Sequence, residues 1–296
     1  MDNLRGILLM TLAMLGFAIT DAFLKAVTVH MPVGQVICLL GIGGFIIFSV
    51  WAKAAGQSVF TRDWLRPMVI ARNASEAVAT ASFITALSIL PLSTVSAILQ
   101  ANPLFVTMGA ALFLGEAVGW RRWAAIAVGF CGMLLILRPT TDGLDAGALL
   151  AVLAMILLAV RDLTTRAMPK HLSNLVLAAY AFATLIVTGG VMMLFHAPVV
   201  PNLPEAGLMG LAVVSGAVAY YCITAAMRVG EVSAVTPFRY TRLVFAMLIG
   251  ILIFGERPDT ITYVGAAIII AAGLYTFARE RKRRIAATLP EMAKAG

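Results

Sequence analysis

The sequence predicts an all-α integral membrane protein, with ten transmembrane helices arranged as two inverted five-helix repeats. The first supporting observation is composition, because 61% of the 296 residues are hydrophobic and only 12% are charged. Soluble domains are nearer half apolar and a quarter charged. So little charge could not cover this much apolar surface, which excludes a water-soluble fold. The other two observations are a series of apolar stretches and a similarity between the two halves.

Ten apolar stretches follow one another along the chain, each about as long as the roughly 20 residues that a helix needs to cross a bilayer. Short segments rich in proline, glycine and polar residues separate them, as turns require. None of these segments is long enough to be a soluble domain. The predicted spans cover residues 5–27, 34–53, 67–89, 94–114, 120–138, 146–166, 174–195, 206–227, 233–254 and 260–279.

The lysines and arginines predict the orientation of the spans. With the N-terminus inside, 15 of the 22 fall on the inner side, 3 on the outer side and 4 within spans. Basic residues collect on cytoplasmic loops. The count therefore predicts a multi-pass protein of the cell (inner) membrane with both termini cytoplasmic. It also accounts for the net charge of +8 without a nucleic-acid partner.

The two halves of the chain resemble each other at a shift of about 140 residues. Residues 6–27 match 147–168 at nine of 22 positions, and residues 92–116 match 232–256 at six of 25 positions. Each half has five spans, an odd number, so the second half enters the membrane from the opposite side. We therefore predict repeats at 5–138 and 146–279, followed by a basic cytoplasmic tail at 280–296.

A Gly-Glu pair ends the fourth span of each half, at Gly115-Glu116 and Gly255-Glu256. Together with the two five-span halves, this pattern resembles the EamA family of the drug/metabolite transporter superfamily, over about residues 5–280. The resemblance implies a carrier that moves small metabolites by alternating access. The sequence FRYTR at 238–242 is similar to a bacterial subset that includes riboflavin and S-adenosylmethionine carriers.

Charged residues inside the spans indicate a candidate site, because a central arginine costs about 2.5–3.5 kcal/mol on insertion scales. Arg239 and Arg242 lie in the ninth span, and Glu76 lies in the third. At about 1.5 Å per residue, Glu76 and Arg242 are both about 13 Å deep, near the midplane. Arg239 lies about one turn shallower, near the level of Arg72.

The repeat adds further polar residues at this depth, because it places Gln100 on Tyr240 and Asn102 on Arg242. Pro103 cannot donate to the carbonyl of Leu99, and a freed carbonyl is tolerated where it lines a cavity. We therefore predict a substrate-binding cavity at the midplane. Its predicted polar residues are Glu76, Gln100, Asn102, Arg239, Tyr240 and Arg242, and its candidate aromatic walls are Phe17, Phe83, Tyr220 and Tyr221.

Each of these residues also has a purely structural interpretation. Glu76 with Arg72 or Arg242 could form an ion pair that only fixes helix register. Gln100 and Asn102 could be ordinary interhelical hydrogen-bonding residues, and the tyrosines could be core or interface aromatics.

Two i,i+4 charge pairs, Asp21 with Lys25 and Asp162 with Arg166, occupy equivalent positions in the two halves and lie near opposite faces. They are candidate gates, made and broken during alternating access. The alternative is that they are charges at helix ends that extend to the membrane interface.

These observations predict a secondary transporter of a small polar metabolite. An amino-acid-like substrate is the first hypothesis, because two arginines suit a carboxylate. A riboflavin or S-adenosylmethionine carrier is the alternative, and a non-transporting membrane scaffold is the alternative from a different class. Motifs of enzymes, nucleotide sites and metal sites are missing from the sequence, so we predict no catalysis, cofactor or metal. The predicted partners are the small-molecule substrate and the lipid bilayer. If transport is coupled to protons, Glu76 is the expected proton carrier.

Overall fold

The structure is a computed structural model that describes residues 2–116, 118–138, 145–168, 173–229 and 232–292, without the side chains of residues 166, 232–233 and 280–292. The described chain is helical and contains no strand. Short 3-10 turns occur at Arg62–Leu65 and Thr236–Tyr240. The helices are α1 Asp2–Val27, α2 Val33–Ala54, α3 Pro67–Ile89, α4 Leu92–Leu99, α5 Asn102–Phe113, α6 Trp120–Leu137, α7 Ala146–Arg166, α8 Asn174–Met193, α9 Leu203–Val229, α10 Val232–Val235, α11 Thr241–Phe254 and α12 Thr260–Met292.

These helices confirm the predicted all-α membrane fold with ten spans. Eight spans are single helices in the described residues, and the fourth and ninth are built from shorter pieces. Nine of the spans are long and apolar enough to cross a membrane by length and composition. The remaining span is α3, which has 23 residues and carries Arg72, Asn73 and Glu76 within its first half.

Local chemistry explains where several helices begin. The Asp145 carboxylate accepts hydrogen bonds from the backbone N–H groups of Gly147 (2.8 Å) and Ala148 (3.2 Å), which caps α7. These N–H groups have no partner within the helix, so a carboxylate there is stabilising. Pro67 stands in the first turn of α3, where its missing N–H costs no helical hydrogen bond.

The fourth and ninth spans are both interrupted near their middle. In the fourth span, α4 ends at Leu99 and α5 starts at Asn102, with Pro103 in its first turn. The ninth span was predicted at residues 233–254, and the interruption within it was not predicted. The 3-10 turn Thr236–Tyr240 separates α10 from α11 and contains Pro237, which cannot donate a helical hydrogen bond.

The packing of the helices has the symmetry of an inverted repeat. Helix α1 packs along α9, and its counterpart in the second half, α7, packs along α3. Helix α1 also contacts α11, as α7 contacts α5. The pairs α2–α8 and α6–α12 join counterparts directly, and α4 contacts α11, so that the fourth and ninth spans also meet. Exchanging each span with its counterpart preserves this pattern, as an inverted repeat requires.

Small residues let helices of the two halves approach closely. A Cβ atom on Gly41 of α2 would lie 2.7 Å from the backbone nitrogen of Ile186 in α8. One on Gly189 of α8 would lie 2.4 Å from the backbone nitrogen of Cys38. Membrane helices use such small residues where their backbones touch. These glycines therefore fix the spacing between α2 and α8.

Candidate binding cavity

A cavity of about 100 Å³ lies between the two halves. It is bounded by α1, α5, α7, α9, α11 and α12, together with the ends of α4 and of the 3-10 turn at 236–240. Phe17 and Phe277 contribute aromatic rings to its wall. Its polar lining consists of Gln100, Asn102, Arg161, Arg239, Tyr240 and Arg242.

Five of the six predicted polar residues line this cavity, and the sixth, Glu76, lies next to it through a contact with Arg161. The helix interruptions explain the clustering. Gln100 and Asn102 flank the break in the fourth span, and Tyr240 closes the 3-10 turn in the ninth. The break in the fourth span and the break in the ninth span lie opposite each other at the interface between the two repeats. Their polar residues therefore meet at one cavity.

Of the four predicted aromatic wall residues, one lines the cavity and three lie elsewhere. Phe17 lines the cavity, whereas Phe83 packs against the main apolar core. Tyr220 donates a hydrogen bond to the Asn174 carbonyl (2.9 Å), and Tyr221 stacks at a tilt on Trp51. Helix α9 presents Ile223 to the cavity instead, so its two tyrosines lie outside the lining.

Arg161 is the centre of the first charged cluster. Its Nη1 donates to both oxygens of Glu76 at 2.9 and 3.2 Å, while its Nε and Nη2 donate to Oδ1 of Asp162 at 2.9 and 2.7 Å. Arg72 approaches Glu76 at 3.5 Å from the same helix. Asn102 donates to the other oxygen of Asp162 at 3.1 Å. The cluster therefore ties α3, α5 and α7 together.

Arg242 belongs to a second, separate ion pair. Its Nη2 and Nε donate to Oδ2 of Asp21 at 2.6 and 3.2 Å. The guanidinium also lies over the ring of Phe17, 5.4 Å from its centre. The Asp21 side chain is only 5% exposed, whereas that of Arg242 is 27% exposed. One end of the pair is therefore dry, and the other faces the cavity.

The ion-pair partners differ from the sequence-based expectations. The predicted alternative of a pair between Glu76 and Arg242 is wrong, because Glu76 binds Arg161 and Arg72. The two actual contacts, Asp21 with Arg242 and Asp162 with Asn102, are equivalent under the repeat. In both contacts the two partners lie on different helices. Each helix turns its polar residue towards the interior of the protein, where it meets the residue of the other helix.

The candidate gate pairs are likewise rearranged. Lys25 donates to the carbonyls of Leu87 (3.0 Å) and Leu90 (2.5 Å), and Asp21 turns away from it towards Arg242. The interpretation of Asp21 as an interfacial charge is wrong, because its side chain is buried. Asp162 pairs with Arg161. The side chain of Arg166, its predicted partner, lies outside the described part of the chain.

Several polar groups at the cavity have no partner within the described residues. Oδ1 of Asn102 and the hydroxyl of Tyr240 are buried without a hydrogen bond. The side chain of Arg239 is exposed and forms no ion pair among the described residues, although its carbonyl accepts from Gln100 at 3.3 Å. Among the described residues of the two charged clusters and the cavity wall, four arginines stand against three carboxylates, which leaves one positive charge in excess. These groups are Arg72, Arg161, Arg239 and Arg242 against Asp21, Glu76 and Asp162.

Arg161 was not among the predicted site residues, although the sequence contained a signal for it. It departs from the repeat, because it aligns with Thr20 while its neighbour Asp162 aligns with Asp21. Asp162 has an equivalent in the first half, but Arg161 does not. The extra arginine therefore indicates that the second half holds an additional carboxylate for it to bind. That carboxylate is Glu76.

The turn between α3 and α4 lies at the far face of the bundle, where α1 ends at Val27. Lys25 and Glu256 hold this turn in place, and their contacts with it are called the seal. Lys25 holds the carbonyls that end α3, as described above. Glu256 accepts hydrogen bonds from the first N–H groups of α4, those of Leu92 (2.5 Å) and Ser93 (3.0 Å), and from the Ser93 hydroxyl (2.7 Å). A second cavity of about 430 Å³ lies beside this seal and is lined by Ser93 and Glu256, among others.

Gly273 of α12 supports the position of Tyr240, which yields a testable prediction. A Cβ atom at Gly273 would lie 1.7 Å from the Tyr240 hydroxyl and 2.3 Å from its ring carbon Cζ. Gly273→Ala is therefore expected to displace the tyrosine and to cost about 1–3 kcal/mol, as overpacking does. The measurement is the apparent melting temperature in detergent. Gly190→Ala is the matched control, because nothing lies within 4 Å of its new Cβ, and equal melting of both variants would contradict the prediction.

Ten spans in an inverted repeat around a polar cavity are the architecture of a small-molecule carrier of the membrane. Comparison with known proteins agrees. The sequence profile of the EamA-like transporter family matches residues 4–138 and 145–278. The chain belongs to this family.

Individual relatives have known names. A riboflavin transporter of Rhizobium johnstonii is 30% identical over 94% of this chain and 92% of its own length. An S-adenosylmethionine uptake transporter of Rickettsia bellii is 32% identical over 66% of this chain and 67% of its own. A pseudopaline exporter of Pseudomonas aeruginosa is 26% identical over 90% and 94%. One solved crystal structure, 19% identical, superposes with a TM-score of 0.67 over 95% of this chain and 98% of its own, which shows the shared fold.

Proposed function

We propose that this chain is a secondary transporter in which the cavity between the repeats holds a small metabolite with an anionic or electron-rich group. The observation that carries the proposal is the set of unsatisfied groups at the cavity: the excess cation Arg239, the buried Asn102 Oδ1 and the buried Tyr240 hydroxyl. Buried polar groups are normally hydrogen-bonded. All three residues line one cavity, and a ligand bound there would supply a partner for the exposed guanidinium of Arg239.

The substrate chemistry follows from these groups. A guanidinium prefers a carboxylate or another planar acceptor, and an amide oxygen needs a donor. An amino-acid-like end, with a carboxylate and an ammonium group, supplies both. Amino acids and S-adenosylmethionine carry such an end, and an S-adenosylmethionine carrier is among the relatives. This substrate class is therefore our first candidate.

Riboflavin is the second candidate, favoured by the aromatic rings of Phe17 and Phe277 in the cavity wall and by a riboflavin transporter among the relatives. Ring-shaped ligands are commonly held between aromatic side chains. The cavity of about 100 Å³ is below the roughly 300–1,000 Å³ of pockets for drug-sized ligands. We propose that it widens when a substrate of this size enters.

We further propose that the near face, where α1 begins, is cytoplasmic and that the protein lies in the inner membrane. The 15-to-3 distribution of basic residues supports this orientation. Two repeats at 5–138 and 146–279 would then rock about the cavity, with a cytoplasmic tail at 280–296. The sealed turn between α3 and α4 fits a conformation closed towards the outside. A non-transporting scaffold is disfavoured, because it would need neither a cavity nor an exposed arginine in the cavity wall, such as Arg239.

Uptake by reconstituted proteoliposomes tests the proposal. The panel consists of labelled amino acids, S-adenosylmethionine and riboflavin, each measured with and without a pH gradient. We expect saturable uptake of one class and competition by its unlabelled analogue. Liposomes that take up none of these compounds faster than protein-free liposomes would contradict the substrate classes proposed here.

Arg239→Gln is expected to reduce uptake of the transported compound about 10- to 100-fold. A hydrogen bond to a charged group contributes about 1.5–3 kcal/mol, and about 1.4 kcal/mol corresponds to a factor of ten. Arg239→Lys, which keeps the charge, should retain part of the rate. Arg5→Gln is the control, because it removes the same charge from an exposed position at the start of α1. A normal rate in Arg239→Gln would remove this residue from the site.

A further inference from the structure

The cation that binds Asp21 also lines the cavity, and this shared position has a functional consequence. Arg242 turns its Nη2 and Nε to Oδ2 of Asp21, while its side chain also forms part of the cavity wall. An anionic group that enters the cavity and binds Arg242 therefore competes with Asp21 for one guanidinium. A ligand anion bound at Arg242 would therefore share this cation with Asp21.

Asp21 depends on Arg242 far more than the other carboxylates depend on a single partner. Glu76 contacts two arginines, Arg161 and Arg72. Asp162 receives two N–H groups of Arg161 and the amide of Asn102. Neither would be left alone if an anion bound Arg242. Among the described residues, Arg242 is the only cation that pairs with Asp21.

Among the described residues, no element packed against α1 other than α11 brings a cation into contact with Asp21. Lys25, one turn along α1, is occupied by the carbonyls of Leu87 and Leu90. Arg239 and Tyr240 of the 3-10 turn line the cavity. Helix α9 places Ser215 against Thr20 (2.8 Å) and Ala219 against Gly16.

In the described part of the chain, the remaining neighbours of α1 likewise place no cation on Asp21. Helices α4 and α10 contain no charged residue. On α3, Arg72 and Glu76 are engaged with each other and with Arg161. Loss of Arg242 to a ligand would therefore leave Asp21 as a buried carboxylate without a cation.

A buried, unpaired carboxylate is strongly disfavoured in its ionised form, and it is neutralised by taking up a proton. We propose, building on the transport function above, that Asp21 is the proton-carrying residue of the carrier and that proton and anionic substrate are exchanged on Arg242. On loading, the substrate carboxylate replaces Asp21 on the guanidinium, and Asp21 takes up one proton from the solution on the loading side to become a neutral acid. On unloading, Asp21 releases that proton to the other side and binds Arg242 again. One proton therefore moves with each substrate anion, in the same direction.

This assignment replaces Glu76, the carboxylate expected from the sequence. Glu76 contacts Arg161 and Arg72, and neither contact involves Arg242, so a ligand on Arg242 leaves both in place. Asp21, in contrast, alternates between a paired and an unpaired state as the substrate comes and goes. Proton coupling requires this alternation.

Carbodiimide labelling tests the assignment without a substrate. N,N′-dicyclohexylcarbodiimide is an apolar reagent that modifies protonated carboxyl groups in membranes, and mass spectrometry locates the label. In Arg242→Gln protein, Asp21 is expected to be labelled at neutral pH, whereas in the wild type it is protected. Glu76 and Asp162 serve as internal controls and should stay unlabelled in both proteins. Labelling of Asp21 no faster in Arg242→Gln than in the wild type overturns the proposal.

Flux measurements give the second readout, with S-adenosylmethionine as the carboxylate-bearing probe and riboflavin as the probe without a carboxylate. Wild-type uptake of S-adenosylmethionine is expected to rise with an acidic outer solution. Asp21→Asn should lose this stimulation but still exchange internal for external S-adenosylmethionine, because Arg242 remains free to bind it. Asp21→Asn that keeps the stimulation overturns the proposal. If the wild type moves neither probe, the proposed function fails, and the labelling result still decides the role of Asp21. If Asp21→Asn folds poorly, Asp21→Glu replaces it, and the pH dependence of its uptake should shift relative to the wild type.

Discussion

Arg161→Met is expected to destabilise the protein by about 3–5 kcal/mol, the cost of breaking a largely buried ion pair from one side. The substitution keeps an unbranched apolar chain but removes the guanidinium that binds both Glu76 and Asp162. Arg72 would remain for Glu76 at 3.5 Å, and Asn102 would remain for Asp162. Arg72 is too far from Glu76 for a short hydrogen bond, and the Asn102 amide carries no charge, so neither group replaces the guanidinium of Arg161. The measurement is thermal unfolding of the purified protein in detergent.

A combined variant separates lost charge from lost packing. Adding Glu76→Gln and Asp162→Asn to Arg161→Met removes the two carboxylates, so a substantial part of the stability should return. Arg161→Lys is expected to be intermediate, because one ammonium group cannot reproduce the fork that reaches two carboxylates. Arg5→Met serves as a control at an exposed position. An unfolding temperature for Arg161→Met equal to that of Arg5→Met would show that the cluster contributes no net stability.

Most of the fold could be predicted from the sequence, because membrane insertion leaves few alternatives. Every backbone group inside the bilayer needs a hydrogen bond, so a long apolar stretch can hardly be anything other than a helix. The repeat then placed the polar residues of the two fourth helices together, and Gln100, Asn102, Tyr240 and Arg242 do line one cavity. The 3-10 turn at Pro237 escaped prediction because a single proline is also tolerated within a membrane helix.

The ion-pair partners could not be predicted in the same way. Depth along a helix follows from the rise per residue, but rotation about the helix axis depends on packing with neighbours. Depth alone suggested Glu76 as the partner of Arg242. The close packing of α1 against α9 and α11 instead turns Asp21 towards Arg242. The repeat contained this information in part, because Asp21 and Arg242 align with Asp162 and Asn102, the equivalent contact in the other half.

The repeated Gly-Glu pairs acquire a physical role in the structure. Gly115 and Gly255 both adopt positive φ angles, of 68° and 65°, which glycine adopts without strain. Each reverses the chain at the end of its helix. At the second pair, this turn brings the Glu256 carboxylate to the first N–H groups of α4, in the other half of the protein. Gly250 makes room, since a Cβ there would lie 2.4 Å from Oε2 of Glu256.

Glu256→Gln is expected to shift the carrier towards a conformation open at the far face. The carboxylate accepts three hydrogen bonds at a helix N-terminus, where a negative charge is favoured, and each such bond contributes about 1.5–3 kcal/mol. Glutamine keeps one acceptor oxygen but places an NH₂ group against donors. A net loss of about 3 kcal/mol changes the ratio of closed to open forms more than 100-fold. The reporter is Leu99→Cys, at the cavity wall, in a background without Cys38, Cys131 and Cys222.

Labelling of this cysteine with a membrane-impermeant maleimide, added to each side in separate arms, distinguishes gating from general loosening. If the protein shifts from a conformation closed at the far face to one closed at the near face, labelling from the far face becomes faster and labelling from the near face becomes slower. A loosened protein would be labelled faster from both sides. Glu116→Gln is the matched control, because it makes the same change in the other Gly-Glu pair and should not raise labelling from the far face. If Glu256→Gln leaves the far-face rate unchanged, the contacts between Glu256 and α4 do not hold that face closed, and the seal must depend on Lys25 and the packing around Leu90.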